Sequence, residues 1–135
     1  MPAAYPEPTL TEVNRPLIEA WRRGGLVLQH CGDCGLIVFF PRALCPRCWS
    51  ERLEWKPSTG RGTIVSYSRV YSHVTEPFAS ESPIVLAEIA LEDGGALLAR
   101  VITSQPEAIE SGQRVELVPM PDAARYTLPT FREAK

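Results

Sequence analysis

The chain has 135 residues and a mass of 15.0 kDa, room for one ordinary domain or a small module beside a compact barrel, which excludes a large multidomain enzyme. Its 44% hydrophobic and 22% charged residues are a globular composition, and no apolar run approaches the roughly 20 residues that span a bilayer. The formal net charge of −2 divides unevenly: residues 15–69 hold nine basic and four acidic groups, and the remainder holds five against twelve.

Residues 1–13 carry Pro2, Pro6 and Pro8 with little apolar content and read as a flexible arm, or as a strap laid over a partner. This start lacks the basic and apolar stretches of a secretory signal, which predicts a cytoplasmic location without membrane association. From Asn14 the pattern turns helical. Asn14 is a candidate cap, Pro16 fits a first turn, and Leu17, Ala20 and Trp21 recur at helical spacing before Gly24 and Gly25. Such a helix has only two to three turns and is marginal by itself, so its Leu17 and Trp21 face must dock, either within the chain or on another subunit.

Leu26 to Leu28 lead into Cys31, and residues 31–48 read CGDCGLIVFFPRALCPRC, a C-x2-C pair, ten residues, and a second C-x2-C pair. Two residues between thiolates let each pair wrap one edge of a tetrahedron, Gly35 frees the backbone of the first knuckle, and Pro46 stiffens the second. Cys31, Cys34, Cys45 and Cys48 are therefore candidate ligands of one Zn²⁺. Four thiolates leave no open coordination position, so the ion would be structural, and its binding would offset the ordering entropy of a module too small for its own core. Iron in a rubredoxin-like cage uses the same donors, but rubredoxins separate their pairs more widely. A dithiol redox couple needs only one C-x2-C copy. In a reducing compartment, two close pairs favour metal over disulfides.

After Trp55, a linker rich in Pro57, Ser58, Gly60 and Gly62 leads into β structure. In the strand from Pro83 to Leu91, Val85, Ala87, Ile89 and Leu91 share one face and Glu88 points to the other. Asp93, Gly94 and Gly95 close a hairpin into Ala96 to Ile102, whose Leu97, Ala99 and Val101 face the same interior. Further strands are predicted at Gly62 to Tyr71, Arg114 to Val118 and Tyr126 to Phe131. About five short strands suit a small barrel of the OB type, although periodicity also allows a sandwich. The expected fold class is mainly β: a short N-terminal helix, a rubredoxin-like four-Cys zinc ribbon and a C-terminal OB-fold barrel, with a sandwich equally allowed by the periodicity alone, divided as arm 1–13, helix plus ribbon 14–56 and barrel 57–135.

No catalytic residue is assigned. His30 and His73 lack nucleophilic or acidic neighbours at a recognisable spacing, Ser66, Ser68, Ser72, Ser80 and Ser82 lie in no elbow motif, and no glycine-rich phosphate loop follows a strand. Tyr67, Tyr71 and Phe78 are candidates for an aromatic surface or for barrel core.

The order of parts, WRRGGLVLQHC, the four-Cys ribbon, GRGTIVSYS at the linker, GQRVELV and a closing LPTFREA, resembles the zinc-ribbon plus OB-fold family of acyl-CoA-associated proteins, a domain of unknown function. The resemblance runs from about Asn14 to Ala134. It implies that Cys31, Cys34, Cys45 and Cys48 hold a structural zinc, and that the chain is a non-catalytic subunit working beside a thiolase-superfamily enzyme: a thiolase, a thiolase-like aldolase or a synthase. Such a subunit helps shape the acyl-CoA site or bridges two enzymes. The family's CoA-contacting positions are not fixed by motif; the basic segment with Arg22, Arg23, Arg42 and Arg47 would suit CoA phosphates, or would merely counter the anionic cluster. Two other readings are weighed. One is an OB-fold and zinc-ribbon module for nucleic acid, which the pI of about 5.7 opposes; the other is a free-standing CoA-binding protein.

Overall fold

The computed structural model describes residues 5–71, 75, 76 and 78–134; His73 and Ser72 lie outside them. Helix α1 (Arg15–Arg22) begins as expected with Pro16 in its first turn, but the Asn14 side chain makes no capping bond to it. Asn14 instead closes the preceding turn, its Oδ1 accepting from the Thr11 amide at 2.8 Å and its own amide donating to Thr11 Oγ1 at 3.1 Å. At the other end Gly24, with φ of +83°, donates to the Trp21 carbonyl at 2.8 Å and Gly25 donates to Ala20 at 2.9 Å, the paired bonds of a left-handed helix stop. Leu17, Ile18, Ala20 and Trp21 are buried, and the Trp21 indole donates to the Tyr126 carbonyl at 2.9 Å. The helix face therefore docks within the chain.

Strands β1 (Val27–Cys31), β2 (Ile37–Val38) and β3 (Leu53–Pro57) form an antiparallel sheet in the order β2-β1-β3. The apolar run Leu36 to Phe40 supplies only the two residues of β2, and the segment read as linker begins as strand β3, with Trp55 opposite Gln29. Gln29 is buried yet fully used: its side-chain amide donates to the Arg42 carbonyl and accepts from the Arg42 amide, both at 2.8 Å.

The remaining strands, β4 (Arg61–Val70), β5 (Ile84–Leu91), β6 (Ala96–Ile102), β7 (Arg114–Leu117) and β8 (Thr130–Glu133), close as a barrel in the order β4-β5-β6-β8-β7. Only the β6–β8 pairing is parallel. Closure settles the choice between sandwich and barrel and leaves no free edge. A bulge at Val65, between Ile64 and Ser66, bends the ten-residue β4 so that it pairs with β7 at one end and β5 along its length. The interior faces are the expected ones: Val85, Ala87, Ile89 and Leu91 from β5, and Leu97, Ala99 and Val101 from β6, are buried. The final strand starts at Thr130, later than the predicted Tyr126, because a 3-10 turn (Asp122–Arg125) occupies the preceding residues and the Tyr126 amide bonds back to Ala123.

Helix, ribbon and barrel share one core, in which Leu17, Leu26 and Leu28 pack with Ile64, Ile89 and Phe131. Gly60 and Gly62, which open the barrel, are fixed by packing. A Cβ at Gly60, where φ is +74°, would stand 2.4 Å from Leu117 Cδ1, and one at Gly62 would stand 2.6 Å from the Ala90 carbonyl oxygen.

Candidate metal centre

The two knuckles are built alike. In the first, Gly35 donates to the Cys31 carbonyl at 3.0 Å; in the second, Trp49 donates to the Cys45 carbonyl at 2.9 Å. The residue after each pair turns left-handed, with φ of +80° at Gly35 and +66° at Trp49. Trp49 is the one non-glycine among the described residues with positive φ, and its side chain is 76% exposed. Strand β1 delivers Cys31, and the turn after β2 carries Cys45 and Cys48 back over it.

The four sulfur atoms converge from both knuckles. Cys31 Sγ lies 3.5 Å from Cys48 Sγ, Cys34 Sγ lies 3.5 Å from Cys45 Sγ, and all four fall within 4.8 Å of one another. A tetrahedral ion with bonds of about 2.3 Å places its sulfurs about 3.8 Å apart, so the donor set and spacing fit Zn²⁺. Backbone amides aim at the sulfurs, including that of Cys34 at 3.4 Å from Cys31 Sγ. The Cys34 amide holds the Cys31 thiol below its ordinary range. The Leu36 amide, with help from the Arg47 guanidinium, lowers Cys34 to about 6. At Cys48 the Ser50 amide pulls downward, but burial and the other three thiols outweigh it and push the group up to about 12. Four thiolates so close cannot all stay ionised without a cation, and a divalent ion displaces the remaining protons.

A polar frame ties the knuckles together. Arg47 donates to the Cys34 carbonyl at 2.8 Å, Arg52 pairs with Asp33 at 2.6 Å, and Ser50 bonds the other Asp33 oxygen. Arg47, one of the arginines considered for CoA phosphates, thus serves the ribbon itself. Arg22 closes α1, Arg23 caps it, and Arg42 bonds Gln29 through its backbone. His30 stands half-buried on β1 opposite Ile37 and Glu54. Tyr67 packs against the core, Tyr71 is exposed, and Phe78 stacks on Tyr5 with ring centroids 5.3 Å apart.

Two features escape the sequence. The arm from Tyr5 onward lies over the barrel's own C-terminal segment: Tyr5 bonds Glu81, and Thr127 donates to the Pro6 carbonyl at 2.8 Å. Beside it an apolar groove of 640 Å³ runs between α1, the Phe39–Pro41 turn and the outer face of β4, β5 and β6. Leu86 and Leu98, apolar residues at outward positions of their strands, are the one trace of it in the sequence, and the groove itself takes shape only when the barrel closes.

The chain matches two family profiles, the ChsH2 rubredoxin-like zinc ribbon domain over residues 19–54 and the ChsH2 C-terminal OB-fold domain over residues 55–119. A DUF35 domain-containing scaffold protein of Methanothermobacter thermautotrophicus is 34% identical over 110 residues, covering 81% of this chain and 82% of that protein. The chain belongs to the DUF35 family. A solved DUF35 relative described as "Ltp2-ChsH2(DUF35) aldolase" superposes with a TM-score of 0.78 at 31% identity, over 96% of this chain and 100% of the other. A probable enoyl-CoA hydratase alpha subunit of Thermomonospora curvata is 32% identical over 98% of this chain, which spans 41% of that protein's length. The benzoylsuccinyl-CoA thiolase subunit BbsA of Geobacter metallireducens is 34% identical over 68 residues, 48% of this chain and 46% of that one. The DUF35 ribbon and barrel of this chain are thus the architecture that its sequence predicts.

Proposed function

We propose that this chain is a non-catalytic, zinc-bearing accessory subunit of a thiolase-superfamily enzyme. One observation carries the reading: four sulfurs converge from two knuckles with no donor position left open, so the metal they suit would hold a scaffold together and would activate no water or carbonyl. Cys31, Cys34, Cys45 and Cys48 are the proposed zinc ligands, Arg47 and the Asp33–Arg52 pair the frame that keeps them in place. The printed names of relatives support the same class of role, since they include a scaffold protein, a thiolase subunit and a component named with an aldolase.

The enzyme brings the catalytic groups. This chain stabilises it and helps shape or bridge its acyl-CoA site, with the ribbon module of residues 14–56 and the barrel of residues 57–135 as its two working parts. The reading includes a cytoplasmic setting, in which the thiols stay reduced. A nucleic-acid role finds no support in the acidic balance of the barrel half.

Co-purification tests the reading. The chain is expected to elute with its thiolase-superfamily enzyme and to show no thioester turnover by itself. Turnover by the purified chain overturns it.

A further inference from the structure

The groove on the outer barrel face is more specific than an apolar patch. The β-register places two rows of side chains across three strands: Ser66, Glu88 and Leu98 in one, and Ser68, Leu86 and Arg100 in the next. Leu98 is 60% exposed and Leu86 48%, and Phe40 and Leu128 rise beside them. Glu88 sits in the middle of this surface, half-buried, with no hydrogen bond or ion pair among the described residues. Arg100, the cation nearest in the rows, turns away from it to Glu81, its Nη2 lying 3.0 Å from Glu81 Oε1, and makes no bond to Glu88.

An occupant must therefore cover four large apolar side chains and also give a carboxylate a donor. An acyl chain does only the first: it would strip water from Glu88 and return nothing, and a fatty carboxylate would be repelled by it. A polypeptide does both, since apolar side chains cover the leucines and one cationic side chain meets Glu88. We propose that the outer face of β4, β5 and β6 is the seat for an apolar segment of the partner enzyme that carries an arginine or lysine, paired with Glu88.

This rests on the accessory-subunit reading above, and the experiment separates the two. The chain, with Leu98 replaced by the photocrosslinker p-benzoylphenylalanine, is purified together with its thiolase-superfamily enzyme and irradiated. The adduct is expected on the enzyme polypeptide, in a segment holding Arg or Lys. Glu88→Lys is expected to weaken assembly at least tenfold, with the melting temperature of the isolated chain unchanged, and exchanging the crosslinked cation for Glu is expected to restore affinity. Glu88→Gln, which keeps the shape, is expected to weaken it less. A complex that forms with no adduct from position 98, or with full affinity for Glu88→Lys, overturns the groove and leaves the subunit reading standing. So does an adduct between two copies of this chain, or saturable binding of dodecanoyl-CoA to the isolated chain that Leu98→Asp abolishes. Failure of the unsubstituted chain to assemble overturns both.

Discussion

The Tyr5 hydroxyl donates a hydrogen bond to the Glu81 carboxylate across 76 residues of sequence, and so ties the N-terminal strap to the barrel. The bond is the centre of a cluster. Glu81 also accepts from Arg100 at 3.0 Å and lies 3.5 Å from Arg125, while the Tyr5 ring stacks on Phe78 and Tyr126. Burial works against the Glu81 charge, but the bonds from Tyr5 and Arg100 and both cations outweigh it and hold the carboxyl below its ordinary value. Tyr5 is raised, by burial and then by its bond to Glu81.

These shifts bound the pH range in which the strap stays down. A carboxyl depressed in the folded state stabilises above its ordinary pKa, here 4.5, and that contribution is lost as pH falls below it. A raised tyrosine stabilises below 10.0 and loses its contribution as pH rises past it. Proteolysis near residue 10 is therefore expected to be slow between about pH 5 and 9 and to accelerate on either side. Tyr5→Phe, which removes the bond through which both groups act on the strap, should flatten both arms and raise the rate at neutral pH.

Removing Glu81 leaves Arg100 with a partly buried charge whose Nε and Nη1 already lack partners. Glu81→Ala is expected to cost about 2 kcal/mol, against about 1 kcal/mol for Tyr5→Phe, measured by urea unfolding. Equal losses would show that the tyrosine bond carries the cluster.

At the barrel entrance, Gly62→Ala forces a methyl group to within 2.6 Å of the Ala90 carbonyl oxygen and 2.7 Å of Ile89. Overpacking of this kind costs about 1–3 kcal/mol. A melting temperature within a degree of the unsubstituted chain would contradict the packing described.

Trp49 holds a left-handed backbone that glycine adopts freely. Trp49→Gly removes a strain of about 1 kcal/mol and adds unfolded-state entropy of similar size, so stability should stay within about 0.5 kcal/mol. Zinc content, by atomic absorption, should not change.

Much of this architecture is legible in the chain because it is local. The spacing of Cys31, Cys34, Cys45 and Cys48 fixes two knuckles, and alternation from Val85 to Leu91 fixes which face is buried. Strand β3 is less visible: Leu53, Glu54, Trp55 and Lys56 are only partly covered, and Pro57, Ser58 and Gly60 just beyond carry a turn signal. The left-handed Trp49 is recoverable by laying the second knuckle over the first, where Gly35 holds the same place. The groove and the Tyr5 cluster are not recoverable this way, since each joins segments far apart in sequence whose meeting depends on barrel closure.

Zinc carried through size-exclusion chromatography of the chain mixed with the thiolase-superfamily enzyme proposed as its partner tests whether the metal holds an assembly module. One peak is expected to hold both polypeptides and one zinc per copy of this chain, with Cys45→Ser eluting apart and metal-free. A chain that folds and joins the enzyme without zinc, or a zinc-loaded chain that elutes by itself, would contradict it.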